Sequence, residues 1–137
     1  MVVIDASVAY KWWDLKEEQS NLAKKILKDH SQDRQKIVVP NLIFYELSNA
    51  WATKSRFSLL KIKANLNDLE SLDLEIADIS INLIEKAVFF SRKYKVSVYD
   101  AIYAVLARMK KCDLITADDK FVDQVKLPFV NKLSSLS

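Results

Sequence analysis

Met1-Val2-Val3-Ile4-Asp5-Ala6-Ser7-Val8 is the stretch that decides the fold. Val2, Val3 and Ile4 form an unbroken β-branched run, the pattern of a short strand covered on both faces instead of one. The run stops at an acid followed by two small residues, and helical spacing begins at Val8, Ala9, Trp12 and Trp13. The same alternation continues outward. Lys36 to Val39 reads as a second strand stopped by Pro40, Leu72 to Ile76 as a third, Asp113 to Thr116 as a fourth, and the region of Pro128 to Val130 as a last one. Between them the apolar residues recur at helical spacing over 17–28 (Leu22, Ile26, Leu27), 41–54 (Ile43, Leu47, Ala50, Trp51) and 59–72 (Leu59, Ile62, Leu66, Leu69). Helices follow over 80–94 and 97–111, and a short one over 119–126. Short strands alternating with helices predict an α/β fold built on a parallel sheet with both faces covered. In such sheets ligands bind beyond the carboxyl ends of the strands, most of all where the strand order reverses. Acids at strand ends are therefore the first candidates for function.

Composition narrows the chemistry. The 137 residues carry 21 Lys plus Arg against 18 Asp plus Glu, a net charge of +3, and 50% of them are hydrophobic, which describes one domain. There is no glycine at all, with two prolines, one cysteine and one histidine. A phosphate cradle of the dinucleotide or P-loop kind needs a backbone without Cβ atoms, so ATP-driven and nicotinamide-linked chemistry are disfavoured. Cys112 has no partner for an internal disulfide, and one Cys with one His does not make a zinc site. A reducing, cytoplasmic setting is expected. Triad-type hydrolysis would need His30, which lies in the polar run Leu27 to Arg34 and reads as a solvated helix end. No run approaches the roughly 18–20 apolar residues of a membrane span, and no basic segment precedes an apolar one as in a signal peptide. Turns without glycine restrict the unfolded chain, so a comparatively rigid scaffold is expected. Any catalysis must draw on carboxylates, hydroxyls, lysines and a hard metal ion.

Four acids stand where solvent does not explain them. Asp5 ends the first strand, and reads equally as a cap for the helix after it. Glu46 shares the apolar stripe of Ile43 and Ala50, where an unpartnered carboxylate costs several kcal/mol or takes up a proton. Asp100 lies in Ser97-Val98-Tyr99-Asp100, which also matches a capping box; its stripe continues through Ala104 and Ala107, small residues that let a helix lie close to a sheet. Asp118 follows Leu114-Ile115-Thr116-Ala117, with Asp119 beside it, and one of the two caps the next helix. Carboxylates gathered in one small space repel each other and destabilise the fold unless a cation sits among them. Hard oxygen ligands without imidazole or thiolate select Mg²⁺ or Mn²⁺. Such a cluster is suited to phosphodiester hydrolysis.

On these residues the chain resembles a PIN-domain ribonuclease, and within that family the VapC-like toxins of type II toxin–antitoxin pairs. Val2-Val3-Ile4-Asp5-Ala6-Ser7-Val8 is similar to the first motif, Pro40 through Glu46 to Asn49 to the second, Val98-Tyr99-Asp100-Ala101-Ile102-Tyr103 to the third, and Leu114-Ile115-Thr116-Ala117-Asp118 with Phe121 to the fourth. The resemblance covers nearly the whole length and implies a single PIN domain over 1–137, a three-layer α/β/α fold with a short parallel sheet of four to five strands. It implies cleavage of single-stranded RNA with Mg²⁺ or Mn²⁺, the metal-site acids being Asp5, Glu46, Asp100 and Asp118. Asp5 and Asp100 would hold the principal ion directly, while Glu46 and Asp118 complete the site partly through water. Ser7 and Thr116 would orient the acids, and Asp119 stands as the alternative fourth acid. Lys11, Lys54, Arg56 and Lys95 are candidates for phosphate contacts at the rim. Trp12, Trp13, Trp51 and Phe57 either stack bases, receive an apolar partner segment, or are core. A homodimer and a small VapB-like antitoxin complete the implied picture. Family members usually carry a glycine or two near their turns, and this chain departs from that in its loops, outside the four motifs.

Two other classes share parts of this pattern. An Asp-dependent phosphatase wants a second acid two residues after Asp5, where this chain has Ser7. A phosphoacceptor domain expects paired acids after the first strand and a lysine beyond the last. A non-catalytic module of the same fold is the third reading, and retention of all four acids weighs against it.

Overall fold

The computed structural model describes residues 1–136. Five parallel strands, β1 (Val2–Ile4), β2 (Ile37–Pro40), β3 (Glu75–Ala77), β4 (Asp113–Thr116) and β5 (Val130–Lys132), form one sheet in the order β3-β2-β1-β4-β5. Helices α1 (Ala6–Ala9), α2 (Ser20–Ser31), α3 (Leu42–Thr53), α4 (Leu59–Ser71), α5 (Ile81–Tyr94), α6 (Val98–Met109) and α7 (Asp119–Val125) flank it as a three-layer α/β/α fold. Tyr10–Trp12 and Leu133–Leu136 add single 3₁₀ turns. Among the described residues no helix is long and apolar enough to cross a membrane.

β1 is the central strand. Val2, Val3 and Ile4 have no exposed surface, as a strand paired on both edges and covered on both faces requires. The chain winds from β1 through β2 to β3 on one side, then crosses back to place β4 on the other. Strand order thus reverses between β1 and β4, paired as Val3 with Leu114 and Ile4 with Ile115, and the crevice at their carboxyl ends is where such a sheet takes ligands. α6 packs over β1, β2 and β4, with Ala101, Ala104 and Ala107 fully buried. Those small side chains bring its backbone close to the sheet and its first turn to the strand ends.

Element positions agree with the sequence pattern, with instructive differences. α2 begins at Ser20, because Gln19 takes a left-handed conformation (φ 60°) and breaks the helix predicted from residue 17. β2 includes Pro40: its pairing with β1 runs through Ile37 and Val38, so a missing N–H costs nothing at Pro40, which sits opposite Ala77 of β3. β5 lies two residues later than Pro128–Val130 suggests, since Leu114 N–H is satisfied by the Phe129 carbonyl before the strand proper begins.

His30 does end α2, but it is buried, not solvated. Its Nδ1 accepts from Ile37 N–H at 3.0 Å, so the proton sits on Nε2, which faces the Leu72 and Asp73 carbonyls at 3.1 Å each. One imidazole thereby joins α2, the start of β2 and the turn before β3. Its ring is used up in structure, away from catalysis.

Among the described residues, six that are not glycine occupy the left-handed region: Gln19, Asp33, Asp73, Lys95, Lys111 and Lys126. The glycine-free composition is therefore met by strained turns. At the end of α6, Lys111 N–H bonds the Arg108 carbonyl and Cys112 N–H the Ala107 carbonyl, a Schellman motif with lysine at the position that favours glycine. A lysine there costs about 1 kcal/mol relative to glycine. Lys111→Gly is expected to raise the melting temperature by about 3 °C, read by calorimetry; a lowered midpoint would show that the turn does not carry this strain.

Candidate active site

Asp5 follows β1 directly and caps α1, accepting from Val8 N–H at 3.3 Å. Two hydroxyls complete its setting. Ser7 Oγ donates to Oδ1 at 2.5 Å, and Thr116 Oγ1, from the last residue of β4, donates to Oδ2. Ser7 Oγ also accepts from Ala117 N–H, and Thr116 Oγ1 from Asp118 N–H, both at 3.0 Å. The ends of β1 and β4 are thus stitched together through one carboxylate. Its rotamer is fixed from both oxygens.

Around it the other three acids come from three different elements. Glu46, half-buried on α3, accepts from the Tyr103 hydroxyl at 2.5 Å. Asp100 lies in the first turn of α6, whose cap Ser97 accepts the Asp100 N–H at 3.0 Å. Asp118 is the N-cap of α7, accepting from Phe121 N–H at 3.2 Å. The capping role foreseen for one of Asp118 and Asp119 falls to Asp118.

Electrostatics ties the four into one group. Burial is the main cause that pushes the Asp5 carboxyl up to about 6, against its hydroxyl and amide donors, with the charge of Asp100 adding to it. Burial likewise raises Glu46; Tyr103 opposes the rise, Asp100 adds to it, and Lys54 relieves it slightly. Asp100 is raised by burial and by the charge of Asp118, against the Ser97 hydroxyl. Asp100 thus links the group, acting on Asp5 and Glu46 and acted on by Asp118. Asp119 stands apart from this chain of influence: its charge acts on Lys132, which pairs with Asp123 at 3.0 Å.

Among the described residues, no three His, Cys, Asp or Glu side chains stand close enough to form a ready-made metal cage. The donor set nonetheless fits Mg²⁺ or Mn²⁺. Such ions are held by one or two carboxylates and keep several waters, where a softer metal would want a closed cage of side chains.

Beside the acids lies a cavity of about 430 Å³ lined by Ser7, Tyr10, Lys11, Glu46 and Lys54, among others. Lys54 is exposed at its edge. Lys11, expected at the rim, is instead buried within the 3₁₀ turn after α1 and pairs with Glu17 at 3.8 Å. Trp12 and Trp51 belong to the core. Trp13 is partly exposed, packing edge-on to Trp51 and donating to Asp68 at 3.3 Å. Phe57 stacks with Tyr10. Tyr103 adds a residue to the site that no acid pattern singles out; its signal is its place one turn after Asp100 on the same helix face.

The sequence profile of the PIN domain matches residues 2–127. No curated protein matches the chain. Solved structures do. A toxin–antitoxin complex from Klebsiella pneumoniae is similar at a TM-score of 0.70 and 18% identity, over 95% of each chain. The sarcin–ricin-loop-cleaving toxin VapC20 of Mycobacterium tuberculosis is similar at 0.70 and 14% identity, over 90% of this chain and 94% of that one. VapBC2 of Rickettsia felis, bound to a DNA fragment from its promoter, is similar at 0.67 and 15%, over 96% and 97%.

Burial of the Asp5 carboxyl is expected to burden the fold. Its folded-state value lies above the 3.8 of an ordinary Asp, so the protonated form is favoured on folding. No penalty exists below about pH 4; it grows through the interval up to about 6 and is complete above, where a shift of that size corresponds to about 3 kcal/mol. Asp5→Asn removes the charge but keeps one acceptor. It is expected to stabilise the metal-free protein at pH 7.5 by roughly 1–2 kcal/mol in urea unfolding, with the gain vanishing below about pH 4. A variant less stable than wild type at pH 7.5 would contradict the burial argument.

Proposed function

The chain belongs to the PIN-domain family, and from that membership we propose that it is a divalent-metal-dependent endoribonuclease that cleaves single-stranded RNA, acting as the VapC-like toxin of a toxin–antitoxin pair. One observation carries the reading. Three acids from three separate elements, Asp5, Glu46 and Asp100, are raised by burial, with the charge of Asp100 acting on Asp5 and Glu46 and that of Asp118 on Asp100. An arrangement so unfavourable in itself is understandable as a binding site for a positive ion.

Asp5 and Asp100 would hold Mg²⁺ or Mn²⁺ directly, with Glu46 and Asp118 completing its surroundings partly through water. When bound, such an ion neutralises phosphate charge and makes a coordinated water acidic enough to serve as a nucleophile. The chain's own residues supply the rest. Ser7 and Thr116 keep both oxygens of Asp5 oriented, so no reorganisation is needed as charge develops. Glu46 is raised by burial and is thereby suited to hold a proton from an attacking water. Lys54, at the edge of the adjacent cavity, is placed to meet a phosphate of the RNA; Arg56 and Lys95 are exposed and extend that role. Asp119 serves the charge balance of α7 with Lys132, leaving Asp118 as the fourth acid.

Protein partners complete the proposal. Large apolar side chains stand exposed on α3 (Tyr45), α4 (Leu59, Leu60), α5 (Ile81, Phe89) and α6 (Tyr99), surface suited to a VapB-like antitoxin and a second copy of the chain. The similar solved structures include a toxin–antitoxin complex and VapBC2. A cytoplasmic location suits both the free cysteine and an RNA substrate.

Purified protein is expected to cut a single-stranded RNA oligonucleotide with Mg²⁺ or Mn²⁺, to lose activity in EDTA, and to lose at least about a hundredfold in Asp100→Asn. Equal cleavage by that variant would refute the assigned site. Hydrolysis of small phosphomonoesters without RNA cleavage would move the protein to the phosphatase class, and no metal binding would favour a non-catalytic module.

A further inference from the structure

Glu46 and Asp100 reach the site from different helices, and one buried phenol connects them. Tyr103, one turn after Asp100 on α6, is 2% exposed, and its hydroxyl crosses to α3 to meet Glu46 Oε1 at 2.5 Å. We propose that Tyr103 is a positioning residue of the divalent-cation site, fixing the Glu46 carboxylate relative to Asp100 so that both acids meet the ion or its waters in a single geometry. The proposal rests on the reading of these acids as a cation site given above.

Three observations support it. Tyr103 is buried in the core, on a helix that packs against α5 and against β1, β2 and β4. A phenol with two torsions, anchored in that way, is a stiff reference point. The Tyr103 hydroxyl is the donor in this bond, since an ionised carboxylate offers only acceptor oxygens. Among the described residues Glu46 Oε2 receives no hydrogen bond, and that oxygen is left for the ion or its waters.

Stability alone does not account for the pair. A half-buried carboxylate met by one neutral hydroxyl is poorly compensated, and an apolar pair of similar volume would hold α3 against α6 at lower cost. Groups that orient metal-bound side chains repay such a cost in affinity, typically by a factor of about 10–100.

The test compares wild type, Tyr103→Phe, Glu46→Gln and the double variant by calorimetric titration with Mn²⁺ in the absence of RNA, by melting temperature, and by kcat and KM for RNA cleavage. Tyr103→Phe removes one oxygen. It is expected to fold and melt nearly as wild type does, to bind Mn²⁺ about tenfold more weakly, and to lower kcat with KM for RNA unchanged. In the Glu46→Gln background the same substitution should change Mn²⁺ affinity no further. Wild-type binding with Tyr103→Phe unaffected would overturn the positioning role while leaving the cation site intact. Equal losses in both backgrounds would overturn it too, since Tyr103 would then act on the fold and not through Glu46; this comparison decides even if Phe lowers the melting temperature. A wild type that binds no Mn²⁺ would overturn the cation reading itself.

Discussion

A single carboxylate, Asp5, closes the crossover of the sheet. It sits where β1 ends and α1 begins, and it receives both hydroxyls that link the ends of β1 and β4. A buried charge with three donors and no counter-ion is held in place by geometry and penalised by burial. The rest of the site follows from that conflict. Ser7 and Thr116 are positioned by Ala117 and Asp118 backbone amides, so the hydroxyls have little freedom except to serve the acid.

The helices bring the remaining acids to the same place for reasons of packing. α6 can approach β1 and β4 because its inner face is alanine at 101, 104 and 107, and its capped first turn then delivers Asp100 above the strand ends. α3 enters the site through Glu46, tied to α6 by Tyr103. α7 starts at the end of β4 with Asp118 as its cap, so that one residue both begins a helix and adds charge to the group. The fold concentrates negative charge at the one crevice where a doubly covered parallel sheet can take a ligand.

Much of this was legible in the chain. Val2 to Ile4 and Leu114 to Thr116 are apolar runs with an acid beyond each, and local pattern suffices to place such strands and their ends. Ser97 and Asp118 announce helix starts through local capping chemistry. What local pattern does not contain is which distant groups meet. The Tyr103–Glu46 bond spans 57 residues and the Ser7–Thr116 contact 109. His30 looks solvated in a run of polar neighbours, yet the Ile37 amide and the Leu72 and Asp73 carbonyls surround it. Lys11 looks like a rim cation, yet it is buried within the turn after the first helix. Glycine's absence hid the turns as well, because Lys111 and Lys126 take left-handed conformations that no residue preference foretells.

The central claim is that Asp5, Glu46, Asp100 and Asp118 form a site for a divalent cation. Its most direct measurement is the melting temperature of the metal-free protein at pH 7.5 as Mn²⁺ is added, for wild type and for Asp100→Asn. Binding to the folded state alone makes the wild-type midpoint climb steadily with the logarithm of Mn²⁺ concentration, while the variant's midpoint stays nearly flat. A wild-type midpoint indifferent to millimolar Mn²⁺, or one that climbs equally in the variant, would contradict the account.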